Sequence, residues 1–389
     1  MVNWQHRSGR DNQLIAESTR VTEINTSHLE ALAIGAGILG TGGGGNPYLG
    51  KLHARNLLRG GKSVPVVSVD DLPEDAVVCS CGGIGSPTVG VERLKEGGEF
   101  LKAMRALERY TGKTVTHMIS AEIGGSNSIS PITTAIQAGL PVVDGDGMGR
   151  AFPELQMDTY SIYGIPPTPC ALADVRGHIA LYDNVDDATF LERYARVVTV
   201  KMGGGAGAAG PLMSGSQIRH AAIPGTLTLA VRIGEAVLEA RERHLDPIVA
   251  ALGVTGGETL FRGKITDVER LMIGGFARGK IELDGSGDDG GRHLSINFQN
   301  ENLVARTSAG EILCSVPDLI CIVDAETAEP ITTEILRYGL RVAVLGIPAP
   351  AMIATPEALA VVGPAAFGYP DVEYKPLAGT YGSGLQLAW

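Results

Sequence analysis

The chain has 389 residues, enough for two domains with sizeable cores, and its 32 Lys and Arg against 43 Asp and Glu give a formal charge of -11. This acidic balance, with no basic tract able to follow a phosphate backbone, argues against nucleic acid as a partner. A polar start, apolar stretches broken by Arg, Gly and Pro, and five cysteines without a CxxC pair predict a cytoplasmic protein with reduced thiols, no signal peptide, no membrane anchor and no structural zinc site.

Hydrophobic residues make up 44% of the chain but aromatics only 5%, which favours helices packed on aliphatic strands. Residues 1-25 read as a polar arm. Ser27-His28-Leu29-Glu30 reads as a capping box opening a helix with Leu29, Leu32, Ala33 and Ala36 on one face. After the glycine run 40-45, Asn46 suits an N-cap and Pro47 the first residue of a second helix, extending to Gly60-Gly61. The pattern then alternates: strands 64-69 and 76-81, a helix near 99-110, strand 114-119, helix 131-138 and strand 141-144. It predicts an α/β amino-terminal domain, residues 1-170, with a mostly parallel sheet. Beyond it, short β-type runs, including 171-183 and 196-202, predict a mainly β second domain over 171-389 with a helical insert near 226-252. The Gly/Ala-rich segment 200-225 reads as a flexible crossover or lid.

Candidate chemistry gathers at the expected strand ends, where open α/β sheets bind ligands. In Asp144-Gly-Asp146-Gly-Met-Gly-Arg150-Ala-Phe-Pro-Glu154, two carboxylates, a guanidinium and a further carboxylate offer a base, an anion clamp and an oxygen-rich divalent-metal set. Its bland alternative is a turn capped by the aspartates, with Arg150 paired to one of them. Glu122 and Asn127, at the neighbouring strand end, suit a second base or a contact to a ring amide, or else a helix N-terminal charge. Gly42, Gly43, Gly44 and Gly45 with Asn46 suit a backbone ligand site; the alternative is a close helix crossing that only glycine permits. Cys81 is a candidate nucleophile, or a small buried hydrophobe beside Cys79. Glu92 reads as exposed surface. Asn300 and Glu301, followed by Asn302, either reach over the crevice or form a β-turn.

The segments IGAGILGTGGGGNPYLGKL (34-52), VVDGDGMGRAFPELQM (142-157), FQNENLVA (298-305), VPDLICIVD (316-324), YGLRVAVLGIPAP (338-350) and VGPAAFGY (362-369) resemble the S-methyl-thiohydantoin desulfurase family, associated with hydantoin utilisation. The resemblance spans about 25-370 and implies an α/β domain followed by a mainly β domain. It also implies hydrolytic removal of sulfur from C2 of a five-membered heterocycle. For that reaction the residues suggest Asp144 or Asp146 as base, Arg150 as anion stabiliser, the glycine amides with Asn46 at the polar edge of the substrate, and Glu122 on a ring N-H. Alternatives are a metal-assisted cyclic amide or imide hydrolase, with Asp144, Asp146, Glu122 and Glu154 as ligands, and a non-catalytic subunit of a hydantoinase-type enzyme. A homo-oligomer is expected.

Overall fold

A computed structural model describes residues 20-85, 89 and 96-385; Glu92 lies outside the described residues. The first sheet contains β1 (Glu23–Ile24), β2 (Val64–Ser68), β3 (Val77–Gly85), β4 (His117–Ser120), β5 (Val142–Asp146), β6 (Cys170–Ala173), β7 (Ile179–Tyr182), β8 (Gly205–Ser214) and β9 (Ile223–Pro224). Its order is β1-β2-β5-β4-β3-β8-β6-β7, with β9 on β5. The middle strands β2, β5, β4 and β3 are parallel, as expected of an α/β unit, while β8, β6 and β7 extend the sheet antiparallel.

The helices are α1 (Leu29–Leu39), α2 (Pro47–Leu57), α3 (Glu99–Thr111), α4 (Ser130–Ala138), α5 (Thr159–Ile162), α6 (Ala188–Lys201), α7 (Gly215–Ala221), α8 (Thr226–Glu242), α9 (Pro247–Thr255) and α10 (Pro356–Val362). Helix α1 is buried on all sides except at Glu30, as an apolar helix must be. It crosses α8 backbone to backbone: a Cβ on Gly35 would lie 1.8 Å from the Ala230 carbonyl oxygen, and one on Gly234 1.8 Å from that of Ala31. Only glycine permits this approach.

The second sheet, β10 (Glu258–Ile273), β11 (Phe276–Gly285), β12 (His293–Gln299), β13 (Glu301–Thr307), β14 (Ile312–Ser315), β15 (Leu319–Asp324) and β16 (Arg341–Ile347), is antiparallel throughout in the order β14-β13-β12-β11-β10-β16-β15. Side chains alternate between faces along a strand. On β15, Leu319, Cys321 and Val323 therefore join the core shared with α1 and α8, while Ile320 and Ile322 enter the core enclosed by the curled sheet. With both faces covered, the run reads as continuous hydrophobe instead of alternation.

Three local expectations change. Residues 196-201 belong to α6, with Met202 as its C-cap, because Leu191, Ala195 and Thr199 recur at helical spacing on its buried face, and that packing outweighs the β-branched preference of Val-Val-Thr-Val. Residues 205-214, expected in a flexible lid, form β8, where small side chains let α3 lie close; a Cβ on Gly207 would be 3.0 Å from Glu99 Cβ. At α1 the N-cap is His28 without a side-chain cap, since Ser27 bonds Asn25 and Glu30 pairs with Lys51 at 2.8 Å. The expected starts of α2 and α4 do form, Asn46 Oδ1 accepting the Tyr48 N-H at 2.9 Å and Pro131 sitting in the first turn of α4.

Candidate active site

A cavity of about 560 Å³ opens beyond the carboxyl ends of β3 and β4. Its wall includes Gly44-Gly45-Asn46 at the start of α2, Cys81-Gly82-Gly83, Glu122, Asn127, Phe152 to Leu155, part of β8, and Asn300-Glu301 from the second sheet. The site is thus built from both halves of the chain. Within the first half two glycine loops cross at this wall: a Cβ on Gly44 would lie 2.3 Å from the Gly124 carbonyl oxygen, and one on Gly125 2.3 Å from that of Gly45. The Ser126 N-H donates to the Gly45 carbonyl at 2.9 Å and locks the crossing.

Glu122 is fully enclosed. Its Oε1 accepts from Asn127 Nδ2 and its Oε2 from the Phe152 N-H at 3.0 Å, while Asn127 Oδ1 accepts the Gly83 N-H at 2.8 Å. Burial pushes the Glu122 carboxyl up to about 8, reinforced by the charge of Asp146 and opposed by the Asn127 and Phe152 hydrogen bonds. Glu301, 2% exposed, lies on the same wall, and its Oε2 has no hydrogen-bond partner. Burial, and then the charge of Glu122, raise its carboxyl well above the usual range. Two carboxyl groups that resist ionisation in one enclosure are an arrangement that can supply a base and an acid together.

Several expected residues lie elsewhere. Asp144, Asp146 and Arg150 are buried but absent from the cavity wall. Asp144 anchors the first turn of α8, accepting the Thr228 N-H at 2.9 Å and its hydroxyl at 2.6 Å. Asp146 Oδ2 gathers the N-H groups of Ile123, Met148 and Gly149 at 2.8-3.0 Å, joining the loops after β4 and β5 directly behind Glu122. Arg150 donates from Nε to the Ala151 carbonyl, from one terminal nitrogen to the Pro317 and Asp318 carbonyls, and from the other to Thr41 Oγ1 and the Asn302 carbonyl, at 2.9-3.3 Å. Its five N-H donors are committed to protein, leaving none for an anion. The strand-end rule fails for these three because one face of β5 and its following turn are covered by α8 and the second sheet.

Among the described residues no group of three or more His, Cys, Asp or Glu is placed to hold a metal ion. Asp144, Asp146, Glu122 and Glu154 do not converge; Glu154, on the cavity wall, accepts from Gln156 Nε2 at 2.6 Å. Gly42 and Gly43 pack against the second domain, Gly42 receiving the Thr333 N-H at 2.8 Å, so only Gly44, Gly45 and Asn46 of that loop reach the cavity. Asn300 forms the expected turn with φ 58° and accepts the Ala277 N-H at 2.9 Å, and it also lines the cavity. Cys81 lines it too, but burial pushes its thiol up to about 12, unlike an activated thiolate. Glu99, Asp158 and Arg196 on the wall were not singled out from the sequence; for Arg196 the signal is the i,i+4 pairing with Glu192 on a helix.

Fold and site together define a two-domain protein, an α/β half and an antiparallel β half, closed around a carboxyl-lined cavity. The chain belongs to the S-Me-THD-like family: residues 27-184 match its N-terminal domain and residues 185-377 its C-terminal domain. A crystal structure of a protein from Chromobacterium violaceum is similar, with 26% identity and a TM-score of 0.76, covering 92% of this chain and 100% of that one. No curated protein matches. No helix among the described residues is long and apolar enough to cross a membrane.

Proposed function

We propose that the protein hydrolyses the C2-sulfur bond of a small thiohydantoin-type ring, releasing methanethiol from an S-methyl substrate or sulfide from a free thiocarbonyl. The observation that carries this reading is the pair Glu122 and Glu301, one from each domain, on one cavity wall. C2 of an S-methyl-thiohydantoin is isothiourea-like, so protonating the adjacent ring nitrogen makes it more electrophilic while a base deprotonates the attacking water. Glu122, supported by two protein hydrogen bonds, is the base, and Glu301, whose Oε2 has no such support, is the acid.

The new C2-O bond forms as water gives a proton to Glu122 and Glu301 gives one to the ring nitrogen. The C2-S bond then breaks, the hydroxyl proton returns to Glu301, and methanethiolate takes the proton from Glu122. Ring and water thus become the C2-oxo ring and methanethiol, with both carboxyl groups restored. In this reading Asp146 is a positioning residue, holding the backbone on which Glu122 sits. Incubation of purified protein with S-methyl-thiohydantoin, thiohydantoin and hydantoin tests it: methanethiol from the first is expected, whereas ring opening alone, or no turnover, would overturn it.

The glycine loop gives a sharper test. Gly43 has no left-handed φ, so alanine fits the backbone, yet its Cβ would sit 1.8 Å from Glu301 Oε1. Gly43→Ala is expected to turn the Glu301 carboxyl aside, lowering kcat at least tenfold, on the order of 1.4 kcal/mol of barrier, with a smaller change in the urea midpoint. Unchanged turnover would remove Glu301 from the chemistry.

A further inference from the structure

Helix α6 carries apolar side chains on two sides. Leu191 and Ala195 are buried, while Phe190, Tyr194 and Val197, spaced as one outward stripe, and Val200 beside them are exposed. A surface helix normally turns polar residues outward. On α6 the Phe190 and Tyr194 rings stack at 6.2 Å, and the Arg193 guanidinium lies over Phe190 at 5.2 Å.

The second domain continues this surface. At the tip of the β10-β11 hairpin a Cβ on Gly275 would lie 3.1 Å from Arg196 Cδ, and the Arg196 guanidinium packs on the Phe276 ring at 4.5 Å. Arg196, one turn from Val200, is itself fixed, donating to Glu192 at 2.6 Å and to the Pro153 carbonyl at 2.9 Å. Cross-strand partners share a face, so Ile273, opposite Phe276, and Leu271, two residues back, lie on the α6 side of the hairpin. These six side chains, 46-64% exposed, leave on the order of 600 Å² of apolar surface, as much as the largest patch of a typical monomer and most of the roughly 800 Å² per partner of a stable interface.

We propose that this face, α6 with the hairpin beside it, binds a second copy of the chain across a two-fold axis, α6 lying antiparallel to its counterpart. Charge selects this occupant. Asp186 and Asp187 stand exposed at the amino end of α6 and Lys201 at its carboxyl end. Antiparallel pairing therefore sets each acidic end beside the other copy's lysine and opposes the two helix dipoles. The register agrees: the alignment that places Phe190 on the partner's Val197 also places Asp186 on the partner's Lys201, because both pairs share a midpoint on the helix. Ala188, Leu191 and Arg196 of the same helix line the cavity, so the interface backs one wall of the candidate active site.

Sedimentation equilibrium of the full chain tests this, and two chains per particle are expected. Val197→Glu and Leu271→Glu each put a carboxylate into the patch from a different domain. Each should weaken the dimer by roughly a hundredfold in Kd, the scale of an unpaired charge in an interface, while keeping the far-ultraviolet circular dichroism of the parent. Asp186→Lys and Lys201→Glu should each weaken it by roughly tenfold through like charge, and the double variant, with the two charges exchanged, should recover the parent's Kd. A monomeric parent, which would leave this face to a different protein, overturns the proposal. So does an oligomer that Val197→Glu and Leu271→Glu both leave intact, or a double charge variant no tighter than the single ones.

Discussion

Replacing Glu122 by glutamine is expected to reduce methanethiol release by roughly 10²- to 10⁴-fold, the usual contribution of a positioned base. The side chain keeps its shape and its amide oxygen can still accept a hydrogen bond, so the fold should survive. The pH dependence supplies a second readout. Burial, with the Asp146 charge, moves the Glu122 carboxyl from 4.5 to about 8. A base must be ionised, so kcat/KM should climb with pH to a midpoint near that value and fall again once Glu301 loses its proton.

Stability should run the other way. The folded protein holds on Glu122 a proton that the unfolded chain gives up near 4.5, so its contribution is full below that pH and is lost as pH rises through about 8. The glutamine variant cannot ionise and should gain on the parent as pH increases across this window, as followed by urea unfolding at several pH values. Full activity in Glu122→Gln, or a rate profile flat from pH 6 to 9, would dismiss Glu122 as the base.

Arg150→Met is expected to cost about 3-5 kcal/mol of stability, the scale for removing one partner from a buried charged network. The guanidinium ties the loop at Thr41 to Asn302, Pro317 and Asp318, and methionine would leave these acceptors buried without donors. Denaturant unfolding checks the size of the effect. A variant of near-parental stability that had nevertheless lost turnover would return Arg150 to the role of anion stabiliser that its sequence position suggests.

The contrast between Arg150 and Glu122 shows where the sequence is informative. Asn46-Pro47 and Ser130-Pro131 identify helix starts because capping depends on residues within one turn. The strands at 64-68 and 142-146 are legible from their β-branched, Val-rich starts, although only 142-146 is buried throughout and 64-68 is exposed at Pro65. The Gly/Ala stretch 205-214 is not, because small residues mark both mobile chain and a strand under close-packed α3, and only the neighbour distinguishes them.

Of the residues the sequence singles out, Gly44, Gly45, Asn46, Cys81, Glu122, Asn127, Glu154, Asn300 and Glu301 line one cavity, whereas Gly42, Gly43, Asp144, Asp146 and Arg150 do not. Tertiary structure decided their roles. Asp144 and Asp146 carry the same carboxylate as Glu122, but the protein donors they meet across 84 and 23 residues of chain make them anchors. Glu301 gains its significance from a donor-free oxygen on a residue of the cavity wall, whereas Asp146, whose Oδ1 is equally without a donor, lies off that wall. Which buried charge is satisfied by protein and which is left for a ligand depends on partners distant along the chain, and local spacing carries no record of them.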